Sequence, residues 1–363
     1  MLTALFVVAG GLAISVTVLV AWSPGTAQPI LNESGKPRPG SISEKTFVMI
    51  NGVEQGMFIK GANESNPVLL YLHGGMPDYF LTRKHPVGFE NEFTVCWWEQ
   101  RGSGLSYRQD IPPDTMNEAQ LVADTIEVTN YLRGRFGQKK IYLMAHSGGT
   151  FLGVLVAAEA PDLYQAYIGV AQMSDQLASE IRAHDYMVHE FHRIGDQRMV
   201  RKLQAAPVTA ESGTPAAYLA VRDRAMHTLG IGTTHDMKSV FRGIFLASLR
   251  CREYTLSEKI NMWRGKALSG VSFLWQTMLT TNLVDRVPAL DVPVYFLHGV
   301  FDFTCSYAVA KTYFDSLSAP LKGFYTFDES AHSPIFEELS RVMQILRQDV
   351  LGGKNQLADP NGI

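Results

Sequence analysis

The chain has 363 residues, of which 46% are hydrophobic and 18% are charged, so a globular protein with a sizeable core is expected and a disordered or coiled-coil chain is excluded. Its net charge of −3 offers no basic field for nucleic acid, and no nucleic-acid-binding motif is present. Cys96, Cys251 and Cys305 form no C-x-x-C pair, which favours small buried side chains over a zinc site or a disulfide framework.

The amino terminus carries an uncharged apolar run from Leu2 to Trp22. About 20 apolar residues are enough for a helix to cross a bilayer. Residues 1–22 are therefore predicted to be a single-pass anchor that attaches the protein to a membrane through residues 2–22. Gly25-Thr26-Ala27 offers a small-x-small cleavage pattern, and cleavage there would give a secreted protein. The side of the membrane stays open, because no basic residue precedes the run.

Proline-rich residues 23–42 then predict an extended linker. The alternating segments 45–50 and 53–60 flank Asn51-Gly52, which is a preferred hairpin turn. Apolar strand patterns next alternate with helical patterns, at 67–72, 93–98, 116–136, 140–145, 148–160 and 167–171. This β-α order predicts a mostly parallel, doubly wound sheet with helices on both faces.

The alternation stops near Met173. From there to about Leu290 helical patterns occur, such as 175–193 and 239–250, without a convincing strand. Strand patterns return at 292–297 and 323–327, and a helix is predicted over 334–351. We therefore predict one sheet domain that is interrupted by a helical insertion. It comprises a first core segment (43–172), the cap (173–289), a second core segment (290–352) and a tail (353–363).

A candidate nucleophile stands where the strand pattern KIYLMA ends and a helix begins, in Ala145-His146-Ser147-Gly148-Gly149. A serine on such a sharp turn needs small neighbours, because its backbone is strained and the adjacent elements pack closely. The usual pattern is G-x-S-x-G, and Ala145 takes the place of its first glycine. Ser147 is therefore the predicted nucleophile.

Serine becomes a nucleophile only when a histidine removes its proton and a carboxylate orients the histidine. In this arrangement the acid precedes the histidine along the chain. Asp302 follows the strand VPVYFL and His332 follows the next strand, both at the sheet edge where active-site loops collect. Asp328 competes for the acid but follows the wrong strand. His146 and His298 compete for the base, but His146 is expected to point elsewhere and His298 to make a local hydrogen bond.

Acyl transfer also needs backbone N–H groups that bind the developing oxyanion. Gly148, directly after the nucleophile, is predicted to supply one. The loop 73–77 (HGGMP), after the strand PVLLYL, is predicted to supply the other from Gly75, with Met76 as the alternative.

These motifs follow one another as in the proline iminopeptidase-like, S33-type α/β-hydrolases, which the sequence resembles over about residues 45–172 and 290–350. They are HGGMP at 73–77, WEQRGSGLS at 98–106, AHSGG at 145–149, HGVFD at 298–302 and SAHSP at 330–334. The resemblance implies an α/β-hydrolase fold with a helical cap. It also implies removal of an N-terminal residue from a peptide whose free amine binds acidic cap residues.

Three positions depart from the family pattern. Met76-Pro77 replaces Pro-Gly, Glu99 replaces aspartate, and Gly148 replaces a bulky aromatic residue, which would widen the space beside the nucleophile. No cap acid can be aligned with the family's amine site. The candidates are Glu180, Glu190, Glu211 and Glu253.

Metal binding has one weak signal, the i, i+3 spacing of His189 and His192. No further ligand motif supports it, so a solvated helix face is predicted and no metal or organic cofactor is implied.

The expected function is a serine hydrolase that cleaves an amide or ester bond of a small molecule or short peptide through an acyl-enzyme, most like a proline iminopeptidase. A membrane-anchored carboxylesterase acting on lipophilic esters is the alternative, and a hydrolase-like binding protein without turnover is a third possibility. Carboxylates that line the cap pocket would favour the peptidase, whereas an entirely apolar pocket would favour the esterase.

Overall fold

The structure is a computed structural model that describes residues 17–266 and 273–360. Eight strands form one sheet: β1 (Ile42–Ile50), β2 (Val53–Gly61), β3 (Val68–Leu72), β4 (Thr94–Trp98), β5 (Ile141–His146), β6 (Tyr164–Val170), β7 (Val294–Gly299) and β8 (Lys322–Phe327). Their order across the sheet is β1-β2-β4-β3-β5-β6-β7-β8. Strand β2 is antiparallel to β1 and β4, and all other neighbours are parallel. The predicted mostly parallel sheet is confirmed.

The hairpin of β1 and β2 forms around Asn51 and Gly52, whose φ angles are 44° and 80°. Both lie in the left-handed region, which asparagine and glycine tolerate better than other residues. The turn thereby matches the twist of the two strands. The predicted hairpin is confirmed, although β1 begins three residues earlier than the sequence pattern indicates.

Apolar side chains cover both faces of the central strands. Leu70 and Leu72 of β3 belong to a core that contains helices α1 (Glu118–Phe136) and α2 (Gly149–Glu159). Leu69 and Tyr71, which point to the opposite face, belong to a second core. This two-sided burial explains the continuous apolar runs that predicted these strands.

The cap lies between β6 and β7, and the described residues there contain helices and turns but no strand of the sheet. Its helices are α3 (Gln176–Arg193), α4 (Gln197–Gln204), α5 (Ala216–Leu229), the π-helical turn Phe241–Phe245 that continues as α6 (Leu246–Arg250), α7 (Leu256–Gly265), α8 (Trp275–Leu279) and α9 (Leu283–Arg286). Side chains of α3, α4 and α5 form a core of their own around Met187, Leu203 and Tyr218.

After the cap, α10 (Tyr307–Ser316) separates β7 from β8, and the chain ends in α11 (Pro334–Glu337), α12 (Leu339–Ile345) and the π-helical turn Leu346–Val350. The predicted single helix over 334–351 is wrong, because the backbone breaks at Glu338 with φ −122° and ψ 51°. The break directs two carboxylates at the preceding loop. Glu338 Oε2 accepts from Ser330 Oγ at 2.6 Å, and Glu337 Oε2 accepts from the amide of Ala331 at 3.1 Å.

Most of the predicted anchor, residues 1–22, lies outside the described residues. In its described part, residues 17–21 are helical. Within the described ranges no helix is both long enough and apolar enough to cross a membrane. The linker that follows contacts the cap directly. The amide of Gly25 donates to Arg252 O at 3.1 Å, and Lys259 Nζ donates to Ser23 Oγ at 2.7 Å.

A buried ion pair joins the hairpin, the segment 98–106 and helix α1. Arg101 donates to Asp124 through Nε at 2.6 Å and through Nη2 at 2.9 Å. The same carboxylate accepts from the side-chain amides of Asn51, Gln55 and Gln120, at 2.9, 2.8 and 2.8 Å. These partners come from several stretches of the core that are separate in the sequence. Asp124 therefore holds these stretches together.

We expect Asp124→Asn to lower the free energy of unfolding by about 3–5 kcal/mol, because it leaves the buried Arg101 guanidinium without a countercharge. Urea unfolding would measure the loss. Glu118→Gln, on the same helix, breaks the exposed pair with Arg286 and should cost less than about 1 kcal/mol. Equal losses in the two variants would contradict the role of Asp124.

Candidate active site

The candidate site lies at the carboxyl edge of the sheet, below the cap. Ser147 follows β5, Asp302 follows β7 and His332 follows β8, so the parallel strands deliver all three residues to one edge. His332 Nε2 lies 2.7 Å from Ser147 Oγ, and His332 Nδ1 lies 2.9 Å from Asp302 Oδ2. The structure therefore brings the three predicted residues into one hydrogen-bonded chain.

Ser147 occupies a strained turn, with a φ of 57° between β5 and α2. This left-handed backbone is unusual for a residue with a side chain, and it lifts the hydroxyl out of the strand-to-helix turn. Ala145 does not share the positive φ, so alanine is tolerated at the position where the family has glycine.

Close backbone approach explains two glycines beside the nucleophile. A Cβ on Gly74 would lie 2.7 Å from Ser147 Cβ, and a Cβ on Gly149 would lie 2.4 Å from the carbonyl oxygen of His73. Real side chains do not reach such distances, so these positions require glycine. Gly75 differs, because a Cβ there would meet nothing within 4 Å.

The carboxylate of Asp302 is fully buried and well supplied with donors. Oδ1 accepts from the amides of Thr304 at 2.8 Å and Cys305 at 2.9 Å. Burial alone would raise the pKa of Asp302, but the charge of His332 and the hydrogen bonds from His298 and His332 outweigh burial and hold that pKa below its ordinary range. Asp302 is therefore ionised at neutral pH.

The imidazole of His332 has the opposite balance. Burial lowers its pKa, and this effect outweighs the attraction of Asp302, which raises it. The ring is therefore neutral near pH 7, with Nδ1 donating to Asp302 and Nε2 accepting the Ser147 hydroxyl. This is the protonation state that a general base requires.

Asp328 and His298, the alternatives for the acid and the base, do not take the places of Asp302 and His332. Asp328 is exposed on the loop after β8. His298 is buried, and its Nε2 donates to Cys305 O at 2.7 Å while lying 3.2 Å from Asp302 Oδ2. His298 therefore makes the local hydrogen bond that the sequence predicted and also supports the carboxylate.

His146 holds the histidine loop, a role that the sequence did not indicate. Its Nδ1 lies 3.1 Å from Asp78 Oδ2, and its Nε2 lies 2.9 Å from the carbonyl oxygen of His332. Both partners are acceptors, so both ring nitrogens donate when the ring is protonated. Burial lowers the pKa of His146, but the hydrogen bond and charge of Asp78 outweigh burial and raise it. Asp78 could have been suspected from its place directly after the HGGMP motif.

The loop 73–77 is held in place by the segment 98–106. His73 Nδ1 donates to Gly74 O at 2.8 Å, and the amide of Gln100 donates to His73 Nε2 at 3.2 Å. Gln100 Nε2 also donates to His73 O at 2.9 Å. Burial lowers the pKa of His73 to about 4, so the ring stays neutral and can both donate and accept. The loop that carries Gly75 is thereby tied to the segment 98–106.

The predicted oxyanion donors lie on two elements of the site. Gly75 is part of the cleft wall beside Ser147, and Gly148 precedes the first residue of α2, so its amide belongs to the positive end of that helix. Their role as oxyanion donors stays a prediction.

An open cleft of about 230 Å³ separates Ser147 from the cap. Its lining includes apolar side chains, those of Met76, Phe80, Leu81, Val240, Ile244 and Phe336. It also includes ionisable side chains, those of Asp78, Arg222, Asp223, His227 and Lys266. The cleft is therefore not the entirely apolar pocket that would favour an esterase.

None of the four cap glutamates that the sequence suggested for an amine site belongs to this wall. Glu180 is buried and pairs with Arg222 through two hydrogen bonds, of 2.7 and 2.6 Å. Glu253 pairs with Lys60, Glu190 pairs with Arg193, and Glu211 is exposed. The acids that line the cleft are instead Asp78 and Asp223, one from the core and one from the cap.

The histidines of α3 do not converge. His184 Nε2 contacts Leu203 O at 3.0 Å inside the cap, whereas His189 is exposed beside Glu190. Across residues 17–266 and 273–360, no group of three or more His, Cys, Asp or Glu side chains could hold a metal ion. All three cysteines are buried free thiols.

The chain is similar in sequence to known aminopeptidases. Residues 88–229 match the family described as serine aminopeptidase, S33. A probable aminopeptidase of Bacillus subtilis, YbaC, is 30% identical over 308 residues, which cover 84% of this chain and 95% of that protein.

Solved structures share the α/β-hydrolase fold. A proline iminopeptidase from Mycobacterium smegmatis has a TM-score of 0.58 and 14% identity, over 86% of this chain and 100% of that one. An esterase from Exiguobacterium antarcticum has a TM-score of 0.54 and 14% identity, over 84% and 99% of the two chains.

We expect Gly74→Ala to lower the free energy of unfolding by about 1–3 kcal/mol, because the new methyl group overlaps Ser147. The same displacement should slow the labelling of Ser147 by a fluorophosphonate. Gly75→Ala is the matched control. It should lower the free energy of unfolding by no more than about 0.5 kcal/mol, since a Cβ there meets no atom within 4 Å. Indistinguishable stabilities of the two variants in urea would show that the close approach at Gly74 is not required.

Proposed function

Because the chain belongs to the S33 serine aminopeptidase family of α/β-hydrolases, we propose that this serine hydrolase removes N-terminal residues from short peptides. The observation that carries the proposal is one cleft whose lining includes the hydrogen-bonded pair of Ser147 and His332 together with two carboxylates, Asp78 and Asp223. A nucleophile with its base supplies acyl transfer, and carboxylates nearby suit a substrate with a free ammonium group. Proline preference, as in an iminopeptidase, is a narrower form of the same proposal.

In the proposed reaction Ser147 Oγ attacks the scissile carbonyl carbon while His332 Nε2 takes its proton. Asp302 keeps Nδ1 protonated and stabilises the imidazolium that forms. Collapse of the tetrahedral intermediate breaks the C–N bond, and His332 gives its proton to the leaving amine. A water molecule, deprotonated by the same imidazole, then attacks the acyl-enzyme and restores Ser147.

The developing oxyanion would be bound by the amides of Gly75 and Gly148. Rigid donors cost no reorganisation during the reaction, and the loop of Gly75 is fixed by Gln100. The amide of Gly148 adds the favourable potential of the α2 amino terminus. Losing one such donor typically costs about 3–4 kcal/mol of transition-state stabilisation.

Asp78 is the carboxylate best suited to the substrate amine. Its Oδ2 is occupied by Tyr71 Oη at 2.7 Å and by His146, whereas its buried Oδ1 has no hydrogen-bond partner among the described residues. A buried acceptor without a partner is costly, and a substrate ammonium group would supply the missing donor. In the cap, Arg222 pairs with Glu180 at 2.6 Å and with Asp223 at 3.1 Å, and within the described part of the chain it forms no ion pair with Asp78.

A carboxylesterase that acts on lipophilic esters is the second candidate. The apolar residues in the cleft lining favour it. Gly148, where the family has an aromatic residue, is expected to leave space beside the nucleophile. Membrane attachment through residues 1–22 would suit such substrates and is retained as a proposal for either activity.

A fluorophosphonate probe should label Ser147, and Ser147→Ala should abolish the labelling and lower kcat by at least about 10⁴-fold. Mass spectrometry of the labelled peptide would identify the modified residue. Ser257→Ala, at an exposed serine of α7, is the control and should behave as wild type. Wild-type protein that stays unlabelled would support a binding protein without turnover instead.

Asp78→Asn should raise KM for an alanyl or prolyl p-nitroanilide by about 10- to 100-fold, because it removes a charge-assisted hydrogen bond to the substrate amine. The same variant assayed on a short acyl ester provides the control, because displacement of His146 would slow both substrates. A loss confined to the aminoacyl substrate supports the peptidase. Equal losses on both substrates, or a wild-type preference for the ester, would count against it.

The acid limb of kcat/KM should follow protonation of His332. Since burial lowers the pKa of His332, half of the activity should be lost only below about pH 6.5, the ordinary histidine value. Both substrate classes should show the same limb, because it belongs to the free enzyme. An acid limb centred above that value would argue against a neutral, buried base.

A further inference from the structure

The outside of the cap carries a cluster of apolar side chains. Phe241, which is 60% exposed, stacks on Phe245 with ring centroids 5.2 Å apart, and Phe245 contacts Trp263 at 5.3 Å. Ile260, 46% exposed, lies one helical turn before Trp263 on α7. Large exposed apolar clusters on the surface of a soluble protein usually mark a binding surface. We call these four side chains, together with Trp22, the outer face of the cap.

The amino-terminal segment reaches the body on this side of the cap. Trp22 is 48% exposed, and its Nε1 donates to Arg250 O at 3.2 Å. The guanidinium of Arg252 lies 5.2 Å from the ring centroid of Trp22. Val18 and Val20, just before it, are exposed as well. The uncharged run that starts at Leu2 therefore joins the folded body at residues 250–252, where the helical stretch that carries Phe241 and Phe245 ends.

The charge around this surface is strongly positive. Residues 238–266 contain seven Lys and Arg but only two acidic residues, a net charge of +5 in a chain whose total is −3. Both acids are neutralised, because Glu253 pairs with Lys60 at 2.7 Å and Glu258 pairs with Lys45 at 3.0 Å. The exposed cations are Lys238, Arg242, Arg250, Arg252, Arg264 and Lys266.

We propose that the outer face of the cap is a docking surface for an anionic lipid bilayer. Exposed aromatic and aliphatic side chains flanked by Lys and Arg match the acyl boundary and the anionic headgroups of a membrane surface. The apolar run 2–22 would hold the protein at the membrane, and its junction at Trp22 orients this face towards the lipid. A second copy of the chain fits less well, since a symmetric contact would bring two such positive surfaces together.

Docking would place one wall of the cleft at the membrane. Val240 and Ile244 line the cleft with Ser147, while their neighbours Phe241 and Phe245 belong to the outer face. A lipid-dissolved substrate would therefore reach the nucleophile past a single helix. This consequence rests on the proposed hydrolysis at Ser147, whereas docking itself does not.

The test uses the full chain in vesicles of phosphatidylcholine and phosphatidylglycerol. Spin labels at Phe241→Cys and Ile260→Cys are compared with labels at Met49→Cys and Ile194→Cys, which are similarly exposed, at 64% and 51%, on the hairpin and at the end of α3. The native cysteines are buried, so labelling is confined to the introduced ones. Circular dichroism verifies that each variant is folded, and electron paramagnetic resonance reports access to oxygen and to a water-soluble nickel chelate.

We expect a several-fold higher oxygen-to-nickel accessibility ratio at 241 and 260 than at 49 and 194, and a smaller difference in vesicles of phosphatidylcholine alone. Four labels that are equally accessible to nickel would overturn the proposal, even if the amino terminus keeps the protein on the vesicle. Spin–spin broadening at 241 that grows with the protein-to-lipid ratio would assign the face to a second copy and also overturn it. Because the readout is position, these failures leave the proposed hydrolysis untouched.

Discussion

The site depends on one hydrogen bond, the 2.7 Å contact between His332 Nε2 and Ser147 Oγ, which joins residues 185 positions apart. The contact forms only if two loops that follow different strands keep their relative positions. Neighbouring side chains therefore hold these loops by hydrogen bonds. His146 holds the carbonyl group of His332, and Glu337 accepts from the amide of Ala331 just before it. The two supports come from separate elements, one from the nucleophile strand and one from the carboxy-terminal helices.

Charge balance keeps this arrangement stable inside a mostly apolar core. Buried ions are costly unless they are paired, and here Arg101 pairs with Asp124 in the core and Arg222 with Glu180 in the cap. Glu99 follows a different rule, since burial raises its pKa to about 8 and leaves it protonated at neutral pH. It contacts Tyr254 of the cap, so the position where the family has aspartate links the two regions of the fold.

The cap segment 252–259 is where several distant stretches of the chain meet. It contacts the amino-terminal segment through Arg252 and Lys259, and the hairpin through the pair of Glu258 with Lys45. The same stretch follows α6 and includes the first turn of α7, the helix that carries Ile260 and Trp263 of the outer face. This cap segment therefore joins the amino-terminal segment to the hairpin of the sheet domain.

The sequence by itself determined the features that local sterics and periodicity control. Asn51-Gly52 specified the hairpin because both residues tolerate positive φ, and small residues after an apolar strand specified the turn at Ser147. The positions of the buried strands along the chain also followed, since buried parallel strands have continuous apolar runs. For the same reason the loops that bear Asp302 and His332 could be placed at the correct edge of the sheet.

Only the tertiary structure decided which acids face the nucleophile. The sequence could not rank the four cap glutamates, Glu180, Glu190, Glu211 and Glu253. In the structure each of them is ion-paired or exposed to solvent. The acids that line the cleft are Asp78 and Asp223. The break at Glu338 and the partners of His146 were equally hidden, because contacts with residues distant in the chain set them. Helix rotation and long-range hydrogen bonding leave no periodic trace in a single chain, so these features of the site emerge only when the chain is packed.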